Sequence, residues 1–91
     1  MRVFEAFEAA GYTVTRLKYR IQLRYGESFI GGYNTRRKHW YVRKKISLDR
    51  DDLLSRNGFW PQKSWWQLDG EHKADSFVVV VEGLTGAPIE Q

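Results

Sequence analysis

The sequence predicts a small α+β domain in which two short helices accompany an antiparallel sheet. Its 91 residues give room for a single modest core. Two stretches alternate apolar and polar side chains, and a third, shorter stretch lies between them; short polar turns separate the three, which is typical of a three-stranded meander. Two other stretches carry acidic residues near their start and glycine just past their end, as short helices do. We therefore expect the order α-β-β-β-α-β-β, in which the meander is followed by one or two C-terminal strands.

The first predicted helix covers residues 2–10. Val3, Phe7 and Ala10 fall on one face of a helix with 3.6 residues per turn. Gly11 follows directly and suits the left-handed residue that ends many helices. We expect an amphipathic helix with its glutamates turned outward.

The first predicted strand runs from Thr13 to Tyr25. Its odd positions hold five large apolar residues and two threonines, and its even positions are polar except for Val14. A helix would place Arg20 and Arg24 on the apolar side, whereas a strand separates the two sets. We expect one long strand with an apolar face and a basic face.

Two shorter strands complete the predicted meander. The second covers residues 29–33, whose two adjacent glycines indicate a bulge or a close approach of two backbones. The third covers residues 39–46, and its odd positions hold His39, Tyr41, Arg43 and Lys45. In a meander the basic positions of the first and third strands share a face, although a one-residue change of register would reverse a strand.

The segment after the meander predicts a second short helix. Ser47 or Asp49 suits its N-cap, and acidic residues follow in the first turn. Asn57 and the glycine after it suit the C-terminal end. We expect the helix to run from one of these caps through Asn57.

Two apolar segments follow in the C-terminal part. Residues 64–68 predict a fourth strand, which an Asp-Gly turn ends. Residues 77–81 include four consecutive valines and predict a buried strand, with a short buried helix as the alternative. We expect residues 1–86 to form a single α+β domain and residues 87–91 to form a flexible C-terminal tail.

Positive charge is concentrated in the first half of the sequence. The net charge is +4, but residues 12–50 hold eleven cations and two acids and carry +9, while the remainder carries −5. Such a segregated surface concentrates polyanions, whereas a face shaped only by solubility usually mixes both signs. The sequence therefore favours nucleic acid as the partner, with DNA and RNA both open.

The candidate binding residues are ten side chains of the predicted meander. Arginine holds phosphate through two N–H groups, and alternate residues of a strand lie about 6.6 Å apart, near the phosphate spacing of one nucleic-acid strand. Aromatic rings that lie between these cations would stack on unpaired bases. Tyr41 is the main candidate, and Tyr33 and Trp66 are further candidates. The predicted nucleic-acid-binding set is Arg16, Lys18, Arg20, Arg24, Arg36, Arg37, Lys38, Tyr41, Arg43 and Lys45.

Three tryptophans, Trp60, Trp65 and Trp66, lie within seven residues of one another. In a strand Trp65 and Trp66 face opposite ways, so we expect one in the core and the other more exposed. Core packing of at least two of the three is the expectation. An exposed one would stack on a base or anchor a partner protein.

Composition and spacing argue against several other classes of protein. The chain has no cysteine, which excludes disulfides and thiolate metal sites. No apolar run is long enough for a membrane span, and two glutamates stand where a secretory signal would be apolar, so a cytoplasmic location is expected. The two histidines lack the spacing of a metal site. We expect no cofactor, no metal and no catalytic residue.

Three other interpretations remain open. A protein-interaction module or inhibitor, of the kind found in phages and mobile elements, would dock its basic face on an acidic surface of a larger complex. A plain solvated face explains the charge without a partner. Glu71-His72-Lys73 has the acid-x-lysine spacing of restriction-type nucleases, with Asp51 or Asp52 as the upstream acid, but it follows a turn and is not on a strand. The oligomeric state is not predicted.

Overall fold

The computed structural model describes residues 2–89, and within that range the chain forms three helices and six strands. The helices are α1 (Arg2–Ala9), α2 (Asp51–Arg56) and α3 (Ala74–Thr85). The strands are β1 (Thr13–Arg16), β2 (Arg20–Tyr25), β3 (Ser28–Asn34), β4 (His39–Arg43), β5 (Trp60–Pro61) and β6 (Trp65–Asp69). They form one antiparallel sheet in the order β1-β2-β3-β4-β6-β5. The predicted α+β class is confirmed.

All three helices pack on the same face of the sheet, and the other face is left open. One apolar core joins the buried residues of the helices to the inward-facing residues of the strands. At its centre the Trp40 ring stacks on Phe4 with centroids 5.8 Å apart and lies 4.8 Å from Phe77. The Trp40 indole N–H donates to the carbonyl of Gly70 at 2.9 Å, so the polar atom of this buried side chain has a partner.

The stretch predicted as one long strand is a hairpin, so that prediction is wrong. Leu17, Lys18 and Tyr19 join β1 to β2, and the backbone N–H of Leu17 donates to the carbonyl of Arg20 at 2.8 Å. Neither Lys18 nor Tyr19 has a positive φ. The turn therefore needs no glycine or asparagine, and nothing in its sequence marks it.

The turn exchanges the faces on which odd and even positions lie. Val14 pairs with Leu23 and Arg16 pairs with Ile21, and directly paired residues of antiparallel strands share a face. Val14, the exception in the sequence pattern, thus faces the helices with the apolar residues of β2. Arg16 faces the same way.

Residues 77–81 belong to α3, so the predicted strand is wrong and the helical alternative is confirmed. Phe77, Val80 and Val81 are fully buried, whereas Val79 is 48% exposed, which is the spacing of a helix face. Burial against the sheet outweighs the strand preference of the valines. Gly86 ends the helix in the left-handed region with φ 73°.

Several element boundaries differ from the sequence prediction, and two of the differences have a clear physical cause. The third predicted strand ends at Arg43, three residues early, because the chain turns there. Ser47 does not cap α2, since it is buried and its hydroxyl donates to the carbonyl of Arg43 at 3.3 Å. The helix begins at Asp51 instead.

Part of the predicted C-terminal tail packs on the domain. Ile89 is buried, and its backbone N–H donates to the Glu82 carboxylate at 2.7 Å. The Tyr12 hydroxyl donates to the carbonyl of Ala87 at 2.8 Å. Residues 90 and 91 lie outside the described range, and their flexibility stays a prediction.

Gly31 and Gly32 lie in the middle of the sheet, where the predicted close approach of backbones is confirmed, and a bulge lies beside them at Ile30. The pairing of β2 with β3 shifts its register after Leu23. A Cβ on Gly31 would lie 2.9 Å from the Cα of Val42 and would collide with the carbonyl oxygen of Tyr41. A Cβ on Gly32 would collide with the backbone of β2 in the same way. Only glycine allows the three strands to approach this closely.

Candidate nucleic-acid interface

The strand pairing arranges the open face of the sheet as three rows of side chains that cross the strands. The first row is Arg20, Asn34, His39 and Asp69; the second is Gln22, Gly32, Tyr41, Gln67 and Trp60; the third is Arg24, Phe29, Arg43 and Trp65. A cleft of about 1020 Å³ lies over these rows, with Arg37, Lys44 and Lys45 also in its lining. We call the three rows the open face.

Three arginines of the open face lie against aromatic rings. The guanidinium carbons of Arg24 and Arg43 lie 4.9 and 5.1 Å from the centre of the Phe29 ring. That of Arg20 lies 6.0 Å from the centre of the Tyr41 ring. The Phe29 and Tyr41 rings meet edge to face with centroids 6.5 Å apart. Two adjoining rings therefore hold the cations of β2 and β4 within cation–π distance.

No carboxylate of the described residues neutralises these three arginines. The ion pairs within residues 2–89 are Arg16–Glu8, Arg56–Asp52 and His72–Glu71. Over the same range, the arginine side chains that donate hydrogen bonds to protein groups are those of Arg16 and Arg50. The N–H groups of Arg20, Arg24 and Arg43 are thus free to bind an external anion.

Strand β6 contributes polar and aromatic groups but no cation to the open face. The indole N–H of Trp65 donates to Oε1 of Gln67 at 3.2 Å, and the Gln67 amide donates to Oδ1 of Asp69 at 2.9 Å. Because an indole nitrogen only donates, this chain of bonds fixes the amide nitrogen of Gln67 on the side of Asp69. Asp69 forms no ion pair with a described residue.

Tyr41 lies at the centre of the open face and has a hydroxyl without a hydrogen-bond partner among the described residues. The residue is 9% exposed. Its ring extends over β3 because Gly32 has no side chain, and a Cβ there would lie 3.1 Å from the hydroxyl oxygen. Burial raises the pKa of Tyr41, and the positive charge of Arg20 partly opposes this rise. The hydroxyl therefore keeps its proton at neutral pH and can donate it in a hydrogen bond.

His39 lies in the first row, between Asn34 and Asp69. Burial lowers the pKa of His39, the carboxylate of Asp69 raises it, and the charges of Arg37 and Arg20 lower it further. The net shift is downward from the ordinary value. The imidazole is therefore held more strongly in its neutral form than a free histidine.

Two turns at one end of the sheet carry a second group of cations, the basic tip, which consists of Lys18, Arg36, Arg37 and Lys38. The Thr35 backbone N–H donates to the carbonyl of Tyr19 at 2.9 Å and so links the turns. The ammonium of Lys18 and the guanidinium of Arg36 each lie 5.3 Å from the centre of the Tyr19 ring. Arg37 also lines the cleft, so the basic tip continues into the open face.

The structure brings together nine of the ten predicted binding residues. Five meet at the open face or the cleft lining, and four form the basic tip; the five are Arg20, Arg24, Tyr41, Arg43 and Lys45. Arg16 does not join them. It lies on the helix-covered face, where its guanidinium bonds to Glu8 at 3.2 Å. The predicted placement of Arg16 beside the other cations is wrong because the turn at residues 17–19 reverses the strand.

Two of the predicted stacking rings lie in the core instead. Tyr33 is buried with its ring 4.5 Å from that of Trp40, and Trp66 is buried as well. Trp65 takes the open face, so the opposite orientation of Trp65 and Trp66 is confirmed. Trp60 is 43% exposed and Trp65 is half-buried, so the expectation that two of these three tryptophans are in the core is wrong.

The predicted set omits Phe29, Trp65, Gln67 and Asp69, which line the cleft. For three of them, the alternation along the strand was a signal that could have been used. Trp65, Gln67 and Asp69 occupy alternate positions, so they face away from the apolar Leu68. Nothing in the sequence indicates that β6 pairs with β4. For Phe29, the bulge changes which side chains of β3 reach the open face.

The acids considered for a nuclease site do not form a metal-binding cluster. Asp51 and Asp52 begin α2, and Glu71 lies in an exposed turn before α3. Across residues 2–89, no three histidine, aspartate or glutamate side chains are grouped so as to hold a metal ion. Over the same residues, no helix has the length and apolar character needed to span a membrane.

Comparisons with known protein families, curated proteins and solved structures found no match to this chain. The chemistry of the open face is therefore the basis on which a function is assigned.

Proposed function

We propose that this domain is a non-enzymatic module that binds nucleic acid through the open face of its sheet. The observation that carries the proposal is the group of three arginines, Arg20, Arg24 and Arg43, held on aromatic rings with no carboxylate beside them. Proteins usually compensate clustered surface cations with acids when no ligand requires them. An uncompensated cluster of this kind fits a polyanion.

The ring contacts favour phosphate as the anion. A guanidinium that lies on a ring keeps the N–H groups at its edge free, and these groups match two phosphate oxygens at once. The Phe29 ring also restricts the Arg24 and Arg43 side chains before binding, which reduces the entropy lost when the complex forms. The basic tip adds cations beside the cleft, so a chain of several phosphates has successive contacts from the cleft to the tip.

The aromatic residues favour nucleic acid over an acidic protein. Phe29, Tyr41 and Trp65 lie in the lining of the cleft, among the cations. Among these three rings, Trp65 is the one on which no described arginine lies, so an unpaired base can stack there regardless of sequence, whereas a carboxylate gains little from such a ring. An acidic protein partner would use the same arginines, and the experiment below separates the two.

The test is binding of fluorescently labelled single-stranded and duplex DNA and RNA, followed by anisotropy over a range of salt concentrations. For about six neutralised phosphates on a single strand, log affinity should fall against log salt with a slope of about −4. The double variant Arg20→Gln, Arg43→Gln should weaken binding more than tenfold, since each charged hydrogen bond contributes about 1.5–3 kcal/mol. Its slope should be shallower by about 1.4.

The matched control is the double variant Arg2→Gln, Arg56→Gln, which removes the same charge from α1 and α2 on the other side of the molecule. It should bind within about twofold of the original protein because these residues lie outside the open face. Equal losses in the two double variants would show a general charge effect and contradict the assigned site. No binding to any of the four nucleic acids at low salt would contradict the proposed function and favour a protein partner.

A further inference from the structure

The cleft is chemically divided across the sheet. On the β2–β4 side it presents the guanidiniums of Arg20 and Arg43, whereas β6 presents an indole, an amide and a carboxylate. A phosphate is attracted to the first side and repelled from the second, because Asp69 is an unpaired negative charge. A ligand that fits both sides carries an anionic group at one end and a flat polar group at the other. A nucleotide has this form.

We infer that the cleft binds one unpaired nucleotide of a single strand, with its phosphate on β2–β4 and its base on β6, and that it selects bases with an exocyclic amino group. This inference rests on the proposed function. It adds the direction in which the strand lies, the preference for unpaired bases and the residues that distinguish one base from another.

Trp65 is the ring on which the base stacks. It lines the cleft and is half-buried, and its indole nitrogen is held by Gln67 at 3.2 Å, so the plane of the ring is fixed before binding. A base in a duplex is covered on both faces by its neighbours and cannot stack on a ring inside a cleft. Only an unpaired base can reach Trp65, which is why a single strand is assigned.

Asp69 and Gln67 are the groups that contact the edge of the base. The Gln67 amide nitrogen bonds to one carboxylate oxygen of Asp69 at 2.9 Å, which leaves the second carboxylate oxygen as a free acceptor. Adenine, cytosine and guanine each present an amino group that donates to such an acceptor. Uracil and thymine have a single ring N–H donor between two carbonyl oxygens, and a carboxylate that approaches this N–H is repelled by both oxygens, so these bases bind less favourably.

Tyr41 supplies a further group on the β2–β4 side, where its hydroxyl lies over Gly32 of β3. Its hydroxyl has no partner among the described residues although the residue is more than nine-tenths buried. The guanidinium of Arg20 lies over the ring, and Arg20 is exposed and free to move toward a bound phosphate. The hydroxyl then donates to an oxygen of the bound phosphate, and the unpaired group gains a partner on binding.

The test compares labelled DNA homopolymers of adenine, cytosine and thymine of about ten nucleotides, a length within known single-strand site sizes. The adenine and cytosine strands should bind about tenfold more tightly than the thymine strand, and a mixed-sequence duplex of equal length should bind more weakly than the cytosine strand. Asp69→Asn should reduce the preference for cytosine over thymine to below about twofold, because an amide both donates and accepts. Thymine affinity should rise in this variant.

The matched control is Asp75→Asn in α3, which changes the net charge equally outside the cleft. It should leave the base preference unchanged. Circular dichroism should show both variants folded, since both aspartates are exposed. Equal binding of the three homopolymers by the original protein, or an unchanged preference in Asp69→Asn, would overturn this inference and leave the proposed function standing. If the original protein bound none of these nucleic acids, the proposed function itself would be overturned.

Discussion

Replacing Gly31 with alanine should destabilise the domain strongly. A methyl group there would lie 2.9 Å from the Cα of Val42 and would collide with the carbonyl oxygen of Tyr41. Both neighbours are backbone atoms of β4, which cannot rotate away as a side chain would. The carbonyl oxygen is the nearer of the two atoms, so the strands must separate by more than about 1 Å to restore an ordinary contact of 3.4 Å, and this separation stretches the hydrogen bonds between β3 and β4.

The size of the effect follows from the cost of inserting an atom into a packed interior, which is about 1–3 kcal/mol and occasionally more. Because the added methyl would contact backbone atoms of a central strand, we expect the free energy of unfolding to fall by about 3 kcal/mol. In a domain of this size, each kcal/mol lowers the melting temperature by roughly 4–8 °C. The Gly31→Ala variant should therefore melt about 12–24 °C below the original protein when thermal unfolding is followed by circular dichroism.

Gly83→Ala in α3 is the matched control. Its added methyl would lie 2.8 Å from a terminal methyl of Leu53, a flexible side-chain end that can move. Alanine also gains about 1 kcal/mol over glycine inside a helix. The melting temperature should change by only a few degrees. A Gly31→Ala variant as stable as this control would refute the assigned pairing of β3 with β4.

Three further predictions test the surface and the cleft. Arg16→Gln should leave nucleic-acid affinity unchanged in anisotropy measurements, whereas Arg20→Gln should weaken it, because the hairpin turns only Arg16 toward the helices; equal effects would contradict the hairpin. Tyr41→Phe should leave the melting temperature equal or higher, since it removes an unpartnered hydroxyl, and should weaken binding of single strands; a large loss of stability would show that the hydroxyl has a partner in the protein. Because the folded protein holds the pKa of His39 below its ordinary 6.5, the unfolded chain takes up that proton first as the pH falls, and stability declines below about pH 6.5. His39→Gln should reduce the difference in melting temperature between pH 7.5 and pH 5.5, and an unchanged difference would assign the decline to other groups.

The meander of β2, β3 and β4 could be predicted from the sequence because β2 and β4 each have one clearly apolar parity and polar turns separate both from the segment between them. Its basic positions on β2 and β4 do share a face, as the alternation of Arg20, Arg24 and Arg43 indicates. The adjacent glycines also predicted a bulge or a close approach, because glycine inside a strand usually marks one of these two features.

Other features could not be predicted because their sequence carries no local signal. The β1–β2 turn uses ordinary φ values, so Lys18 and Tyr19 resemble strand residues, and only Val14 indicates the change of face. The valines of α3 favour a strand locally, and their helix is fixed by packing on the sheet. The position of β6 beside β4 depends on contacts between residues distant in the chain, and so does the Trp65–Gln67–Asp69 side of the cleft.

The packing of all three helices on one side of the sheet gives the molecule a large electric dipole moment. The helices hold six acids, Glu5, Glu8, Asp51, Asp52, Asp75 and Glu82, against two cations, Arg2 and Arg56. Negative charge thus lies behind the sheet and positive charge in front of it. A polyanion that approaches in solution turns the protein before they touch, so most first encounters present the correct side. Association should be fast in dilute buffer and slow markedly as salt is added.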